Sequence, residues 1–207
     1  MTVVTILSSR RERKKQQTRT HLLSTAIRLM TERGFDALTV EEIADAADVG
    51  KGTIYNYFKT KEDIVVAFFV DLERRVQSKV AKLSTNQDSL ESVLTAFLQH
   101  QFRLKRPHLQ FVRIFFTQMF AQPEQMYPYV VELQGIIDPP LVRLFESLRE
   151  RHLLRRDVPM DLLVLNFKTF HFGLSAIWAL EGPPWRGTAE ALPKQVSLFC
   201  RGLGRNV

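Results

Sequence analysis

The stretch Val49-Gly50-Lys51-Gly52-Thr53-Ile54-Tyr55-Asn56-Tyr57-Phe58 reads as a short helix with two unlike sides. Ile54 and Phe58 are four residues apart, share one face and should turn inward, while Lys51, Thr53 and Asn56 offer polar groups on the other. Just upstream, Thr39-Val40-Glu41-Glu42 has the capping-box pattern, in which the Thr39 hydroxyl accepts from the Glu42 N–H and the Glu42 side chain reaches back. A helix starting there has Val40, Ile43, Ala44 and Ala47 as its apolar stripe, with alanines small enough to let a neighbour approach closely. Two short helices joined by a tight turn suggest a helix-turn-helix.

Upstream again, Leu23, Ala26, Ile27 and Met30 recur at helical spacing, which predicts a first helix to about Arg33. Gly34 takes the left-handed position after it, and Phe35 anchors the exit. Residues 10–16 form a polar basic arm ahead of that helix. Downstream, Thr60 and Asp63 resemble a second capping box, and Ile64, Val65, Phe68 and Leu72 continue a longer helix to about Leu83, with a polar break from Ser84 to Gln87. Amphipathic segments follow at 88–105, 107–120, 124–136, 140–154, 160–181 and 189–203. The breaks fall at Pro107, Pro123, Pro139-Pro140, Pro159 and Gly182-Pro183-Pro184, because proline has no amide donor and disfavours helix in the residue before it. Pro193 either delays or kinks the last helix. No alternating strand pattern is present.

The expected fold is therefore all-α. A flexible basic arm (1–16) precedes a three-helix helix-turn-helix domain (17–66), and a larger helical domain (67–207) brings the total to about nine helices or more.

The chain has 207 residues, 45% apolar and 25% charged, with nine Gly and nine Pro, which is the make-up of a folded globular protein. The placement of its formal charge of +7 says more than its size. Before residue 34, Arg10, Arg11, Arg13, Lys14, Lys15, Arg19, Arg28 and Arg33 face only Glu12 and Glu32. A basic end suits nucleic acid or an acidic membrane surface, and equally a solvated tail. A single cysteine, Cys200, leaves no internal disulfide and no cysteine-based metal site, and is expected to be a packed helix residue. The short apolar run Met1 to Leu7 has its positive charges after it, unlike a signal peptide. Even the most apolar segment, Leu162 to Leu180, carries Asn166, Lys168 and His171, which argues against a membrane span. The expectation is a soluble, cytoplasmic protein with no membrane partner.

Ala44, Val49, Lys51-Gly52-Thr53, Tyr55, Tyr57-Phe58 and Lys61 together resemble the DNA-binding signature of the TetR family of bacterial transcriptional regulators. The resemblance covers residues 19–66 without a gap, and Leu198 to Leu203 is similar to the close of that family's last helix. Between about 84 and 190 the likeness is one of architecture. Two departures lie at the turn. Asp48-Val49-Gly50 stands where Gly-Val-Ser is common, and Tyr57 where His is frequent; Asp tolerates left-handed backbone, and Gly50 caps a helix more weakly than Ser.

A recognition helix enters the major groove by its N-terminal end, with its backbone close to the duplex. Lys51, Thr53 and Asn56 suit base edges, and Gly52 has no side chain to hold the backbone away. The resemblance implies phosphate contacts by Thr39, Tyr55, Tyr57 and Lys61, which fix register without reading sequence. The basic arm either adds minor-groove or phosphate contacts or is a solvated tail.

In the body, aromatics at helical spacing are first of all core, but such a body can also line an apolar pocket. The candidate ligand-binding residues are Phe102, Arg113, Phe116, Gln118, Met119, Phe120, Asn166, Phe170, His171 and Trp178. The resemblance further implies a homodimer built on residues 160–181 and 190–203, with Leu162, Leu165, Gly173, Ile177 and Leu198 at the interface. It implies a palindromic operator, a repressor released by a small hydrophobic or aromatic effector, and movement carried by the helix from Lys61 to Leu83.

An enzyme is the main competing class. The chain has no His-Glu-x-x-His, Gly-x-Ser-x-Gly or phosphate-binding glycine loop, and His21, His100, His108, His152 and His171 lack metal-ligand spacing. No cofactor, metal or catalytic residue is expected. A basic membrane-surface adaptor is the third reading.

Overall fold

In the computed structural model, which describes residues 10–80 and 89–203, the described residues form nine α-helices and one short 3₁₀ turn. The helices are α1 (Arg10–Arg33), α2 (Val40–Ala46), α3 (Lys51–Tyr55), α4 (Lys61–Val80), α5 (Leu90–Lys105), α6 (Leu109–Ala121), α7 (Pro123–Glu150), α8 (Met160–Glu181) and α9 (Arg186–Leu203). The chain divides into two compact units, Met1–Phe68 and Phe69–Val207, so α4 contributes to both. Residues 1–9, the expected helix end at Leu83 and the polar break at Ser84–Gln87 lie outside the described residues.

The first unit is held by caps and a small apolar centre. Leu22, Ala26, Met30, Ile43, Ala44, Ile54 and Ile64 are completely buried. Thr39 closes the start of α2 as the capping box requires: its Oγ1 accepts from the Glu42 N–H at 3.1 Å, and Glu42 Oε2 accepts from the Thr39 N–H at 2.8 Å. The Thr60 and Asp63 pair does the same ahead of α4, with bonds of 3.1 Å in both directions. Asp48 has φ +52°, so the residue standing where a glycine is common does adopt the left-handed backbone. Gly34 follows α1 with φ +88°, and its N–H donates to Met30 O at 3.0 Å.

Two expectations need correction. The basic stretch 10–16, read as a flexible arm, is the first two turns of α1, with its charges exposed along a regular helix. Pro139-Pro140, read as a break, lies inside the 28-residue α7, as does Pro128. Two interior prolines remove amide donors and should stop a helix. Here Met126, Leu133, Leu141, Phe145 and Leu148 are buried on both sides of the pair, so packing against α6 and α8 holds the two halves in one helical register. Pro193 likewise lies within α9.

In the second unit α8 is the central element, packed against α6, α7 and α9. It is long and apolar enough to cross a membrane by length and composition, contrary to the expectation from its polar residues. Its buried Leu163, Val164, Phe167, Leu174, Trp178 and Ala179 make it a core helix. Phe167 meets Phe97 and Phe145 edge to face, with centroids at 5.4 and 5.5 Å. Phe102, Trp178 and Trp185 stack in succession at 5.3 and 5.4 Å, and Arg106 lies 4.7 Å over the last ring. The start of α9 is capped by Glu181, whose carboxylate accepts from the N–H groups of Gly187 and Thr188 at 2.7 and 2.8 Å. Cys200 is buried, and that burial pushes its thiol up to about 12, which leaves it unreactive.

The α2 cap gives a pH test. Hydrogen bonds from Arg33, and then from the Thr39 backbone and hydroxyl, pull the Glu42 carboxyl down from 4.5 to about 2. A depressed carboxylate contributes stability that is complete above pH 4.5 and is lost as pH falls through about 2. Glu42→Gln should therefore melt at a lower temperature than the parent near neutrality, and the gap should narrow between pH 4.5 and 2, followed by helical circular dichroism. Parallel pH profiles for the two proteins would contradict this role for Glu42.

Candidate functional site

The helix-turn-helix presents its second helix through two inward anchors. Ile54 is completely buried and Phe58 is 3% exposed, with the Arg19 guanidinium 5.8 Å over the Phe58 ring. Because α3 packs on α2 through this side, Lys51, Gly52 and Asn56 are left exposed and Thr53 half-buried on the other. The helix is shorter than its sequence suggested: it ends at Tyr55, and Asn56 is the cap residue that follows. Gly50 caps its start without a side-chain bond. A Cβ added at Gly52 would meet nothing within 4 Å, so the protein's own packing does not require glycine there. What glycine provides is a bare backbone that another molecule can approach.

The four expected phosphate contacts are placed differently from one another. Thr39 is exposed at its cap. The Tyr55 hydroxyl donates to Glu41 Oε1 at 2.6 Å, a partner that sequence reasoning missed. That hydrogen bond raises the Tyr55 phenol above its ordinary value of 10.0 and lowers the Glu41 carboxyl, with the Lys51 charge helping the carboxyl down. Lys61 donates to Phe35 O at 2.9 Å and lies 4.6 Å over the Phe35 ring, so it ties the entry of α4 to the exit of α1. An ammonium has three donors, which leaves two for other acceptors. Tyr57 lines an open groove of about 860 Å³ with Arg13, Lys15, Gln16, Arg19 and His21 from α1. His21 Nε2 donates to Ala47 O at 3.1 Å and thereby ties α1 to the turn.

The second unit contains a cavity of about 330 Å³. Most of its wall is apolar: Phe69, Val112, Phe115, Phe116, Met119, Val130, Leu133, Ile137, Phe172 and Trp178. Phe69 and Phe115 stack at 3.9 Å. Polar groups converge at Glu73, Lys105, His171 and Ser175, all at most 9% exposed, with Gln134, Lys168 and Thr169 also on the lining. Lys105 and Glu73 form a buried ion pair, and Lys168 pairs with Asp138 at 2.8 Å. Burial, with the Lys105 charge assisting, pushes His171 down to about 3, so its imidazole is neutral at physiological pH.

Of the ten residues expected to bind ligand, Phe116, Met119, His171 and Trp178 are brought together on this cavity. The others have different surroundings. Phe102 is buried behind Trp178, and Phe170 stacks on Phe199 at 4.5 Å. Arg113 donates to Ala179 O at 2.6 Å at the end of α8, and Asn166 donates to Leu162 O on the exposed side. Phe120 is 70% exposed, and the backbone oxygen of Gln118 accepts the final bond of α6. Glu73, Lys105 and Ser175 were missed, although polar residues inside otherwise apolar helices carry the signal. Among the described residues, no group of three or more His, Cys, Asp or Glu could hold a metal ion.

An exposed helix seated on a capped helical pair, with a second helical unit that contains a cavity, defines a helix-turn-helix protein with a larger helical body. Residues 22–68 match the model of the bacterial regulatory proteins, tetR family. It is 38% identical over 85 residues to the HTH-type transcriptional repressor KstR2 of Rhodococcus jostii, and 36% identical over 70 residues to the repressor DhaR of a Mycobacterium species. These alignments cover 39% and 32% of this chain, and span 42% and 35% of the two relatives, less than half of either. Along nearly the whole length the fold is shared. The crystal structure of Thermus thermophilus FadR, a TetR-family repressor in complex with lauroyl-CoA, superposes with a TM-score of 0.73 at 24% identity, covering 91% of this chain and 97% of that one. Salmonella enterica GusR gives 0.65 at 18% identity, covering 89% and 96%.

The Tyr55 to Glu41 bond is directly measurable. Spectrophotometric titration of the parent should show one tyrosine ionising above 10.0, and Glu41→Gln should bring it back toward that value. Identical titration curves would show that the bond is absent in solution.

Proposed function

We propose that the chain is a homodimeric, ligand-responsive transcriptional regulator, a repressor that leaves a palindromic operator when a small hydrophobic or aromatic effector occupies the cavity. The observation that carries the DNA reading is the exposed N-terminal side of α3, with Lys51, Gly52 and Asn56 outward, inside the segment that matches the tetR family. Lys51 and Asn56 would reach base edges, Lys with guanine and Asn with adenine, and Thr53 would assist them. Thr39, Tyr57 and Lys61 would hold phosphates. Tyr55 would first have to leave Glu41, because its hydroxyl proton is already given to that carboxylate. A DNA-binding regulator of this kind works in the bacterial cytoplasm.

The dimer reading rests on an apolar stripe. Leu162, Leu165, Ile177 and Leu180 are between 44% and 80% exposed and, with Gly173, follow one face of α8; Leu198 on α9 is 71% exposed. A Cβ at Gly173 would meet nothing within 4 Å, so a second helix can come close there. Two copies joined by a two-fold axis would place two α3 helices on successive major grooves.

The effector acts only through its different affinity for the two states. A preference of ~100-fold for the DNA-free conformation is worth about 2.7 kcal/mol against operator binding. The cavity sits at the small end of ligand-pocket sizes, which run from about 300 to 1,000 Å³.

Enrichment of random duplex DNA on the purified chain should return a palindrome with half-sites about one helical turn apart. Lys51→Ala and Asn56→Ala should each lower affinity by about tenfold or more and relax the preference at one position per half-site. Recovery of unrelated sequences, bound equally well by the variants and only at low salt, would overturn the proposal. Independently, Ile177→Asp should shift the protein from dimer to monomer in sedimentation equilibrium and abolish binding to the paired half-sites. An unchanged mass would remove α8 from the interface.

A further inference from the structure

Six buried polar side chains stand on three helices of the second unit as pairs one turn apart: Glu73 and Gln77 on α4, Gln101 and Lys105 on α5, His171 and Ser175 on α8. This spacing puts each pair on one helix face. Glu73 gives Oε1 to the Lys105 ammonium. Glu73 Oε2, His171 Nε2 and Ser175 Oγ have no hydrogen-bond partner within the protein, and all three residues line the cavity. A buried polar atom left unpaired carries a penalty that a suitable partner removes. These atoms therefore mark the wall of the cavity where a polar group on a ligand gains most.

Their chemistry restricts that group. An ionised carboxylate oxygen only accepts, so whatever satisfies Glu73 Oε2 must donate. The serine hydroxyl takes either role, and neutral His171 offers Nε2 as donor or acceptor according to its tautomer. An anionic head would face the free oxygen of Glu73, while the charges of the two lysines on the lining are already balanced by carboxylates, Lys105 by Glu73 and Lys168 by Asp138. The rest of the wall carries Phe69, Phe115, Phe116, Phe172 and Trp178, which suits an aromatic body.

We propose that the cavity selects a small aromatic or aliphatic molecule bearing a neutral hydrogen-bond-donating head, a phenol or an alcohol, with the head seated among Glu73, His171 and Ser175. The assignment rests on reading the cavity as the effector site and adds the class of effector. A thioester or ester head, which accepts without donating, leaves Glu73 Oε2 unmatched, and a carboxylate opposes it.

The test is calorimetric titration of the full-length chain with three matched probes: 4-butylphenol, 4-butylanisole and 4-butylbenzoate. Phenol should bind about 10- to 100-fold more tightly than either analogue, the difference made by one hydrogen bond to a charged group. Ser175→Ala should reduce that preference several-fold. The double variant Glu73→Gln/Lys105→Met removes both charges together, so neither is left buried alone, and should abolish most of the preference. If it fails to fold, Ser175→Ala alone still decides. Equal binding of phenol and anisole, tighter binding of benzoate, no binding of any probe, or a phenol preference untouched in the variants would each overturn the assignment. Operator affinity measured with 4-butylphenol present separates the two readings. Selective phenol binding without operator release upholds the head-group assignment and removes the effector role of the cavity.

Discussion

A helix as short as α3, Lys51 to Tyr55, cannot persist by itself in water, because nucleation fixes several residues before hydrogen bonds repay it. It exists here because Ile54 and Phe58 are driven out of water on one side, and because Thr39 and Glu42 fix the start of the helix on which α3 packs. Every polar group offered outward is positioned by that inward burial. Gly50 supplies no side-chain bond to the start of α3, so the hydrophobic anchors, with the Tyr55 to Glu41 hydrogen bond at its far end, carry the orientation. The five-residue helix is thus a product of tertiary packing, and its geometry is only as firm as the cluster beneath it.

Much of the first unit was legible because its signals are local. The Thr39 and Glu42 box, the Thr60 and Asp63 box, the left-handed Gly34 and the left-handed Asp48 each follow from two or three neighbouring residues. In the second unit the ends of α8, at Pro159 and Gly182, were equally readable. Pro139-Pro140 misled because the local cost of two prolines is opposed by burial of Leu133, Leu141 and Phe145, and periodicity in one segment cannot weigh packing supplied by others. The same limit explains why residues 10–16 read as an arm. Their charge was visible, but the helix that continues from residue 17 back through them was not.

The cavity was half legible for a related reason. Aromatic residues at helical spacing identify an apolar face, but they do not say which ring meets a wall and which meets another ring. Phe170 is taken by Phe199 and Phe102 by Trp178, whereas Phe116 reaches the open space. Polar residues discriminate better. Asn166 and Arg113 turn to backbone carbonyls at or near their helix ends, while Glu73, Lys105 and Ser175 are buried with their polar atoms among hydrocarbon. The one-turn spacing of each from a second buried polar residue, Gln77 on α4, Gln101 on α5 and His171 on α8, is written in the sequence, yet it has meaning only once three helices are known to face one another.

Lys61 shows how one side chain can confuse two properties. It bonds the Phe35 carbonyl and covers the Phe35 ring, joining the end of the first helix's exit turn to the start of α4. A genetic screen for loss of operator occupancy would recover substitutions at this position whether or not the lysine ever touches a phosphate, because loosening the turn disturbs the platform that presents α3. Mutational phenotype and physical contact are separate quantities here. For such a residue, a footprint of the DNA backbone carries information that a collection of inactive mutants does not.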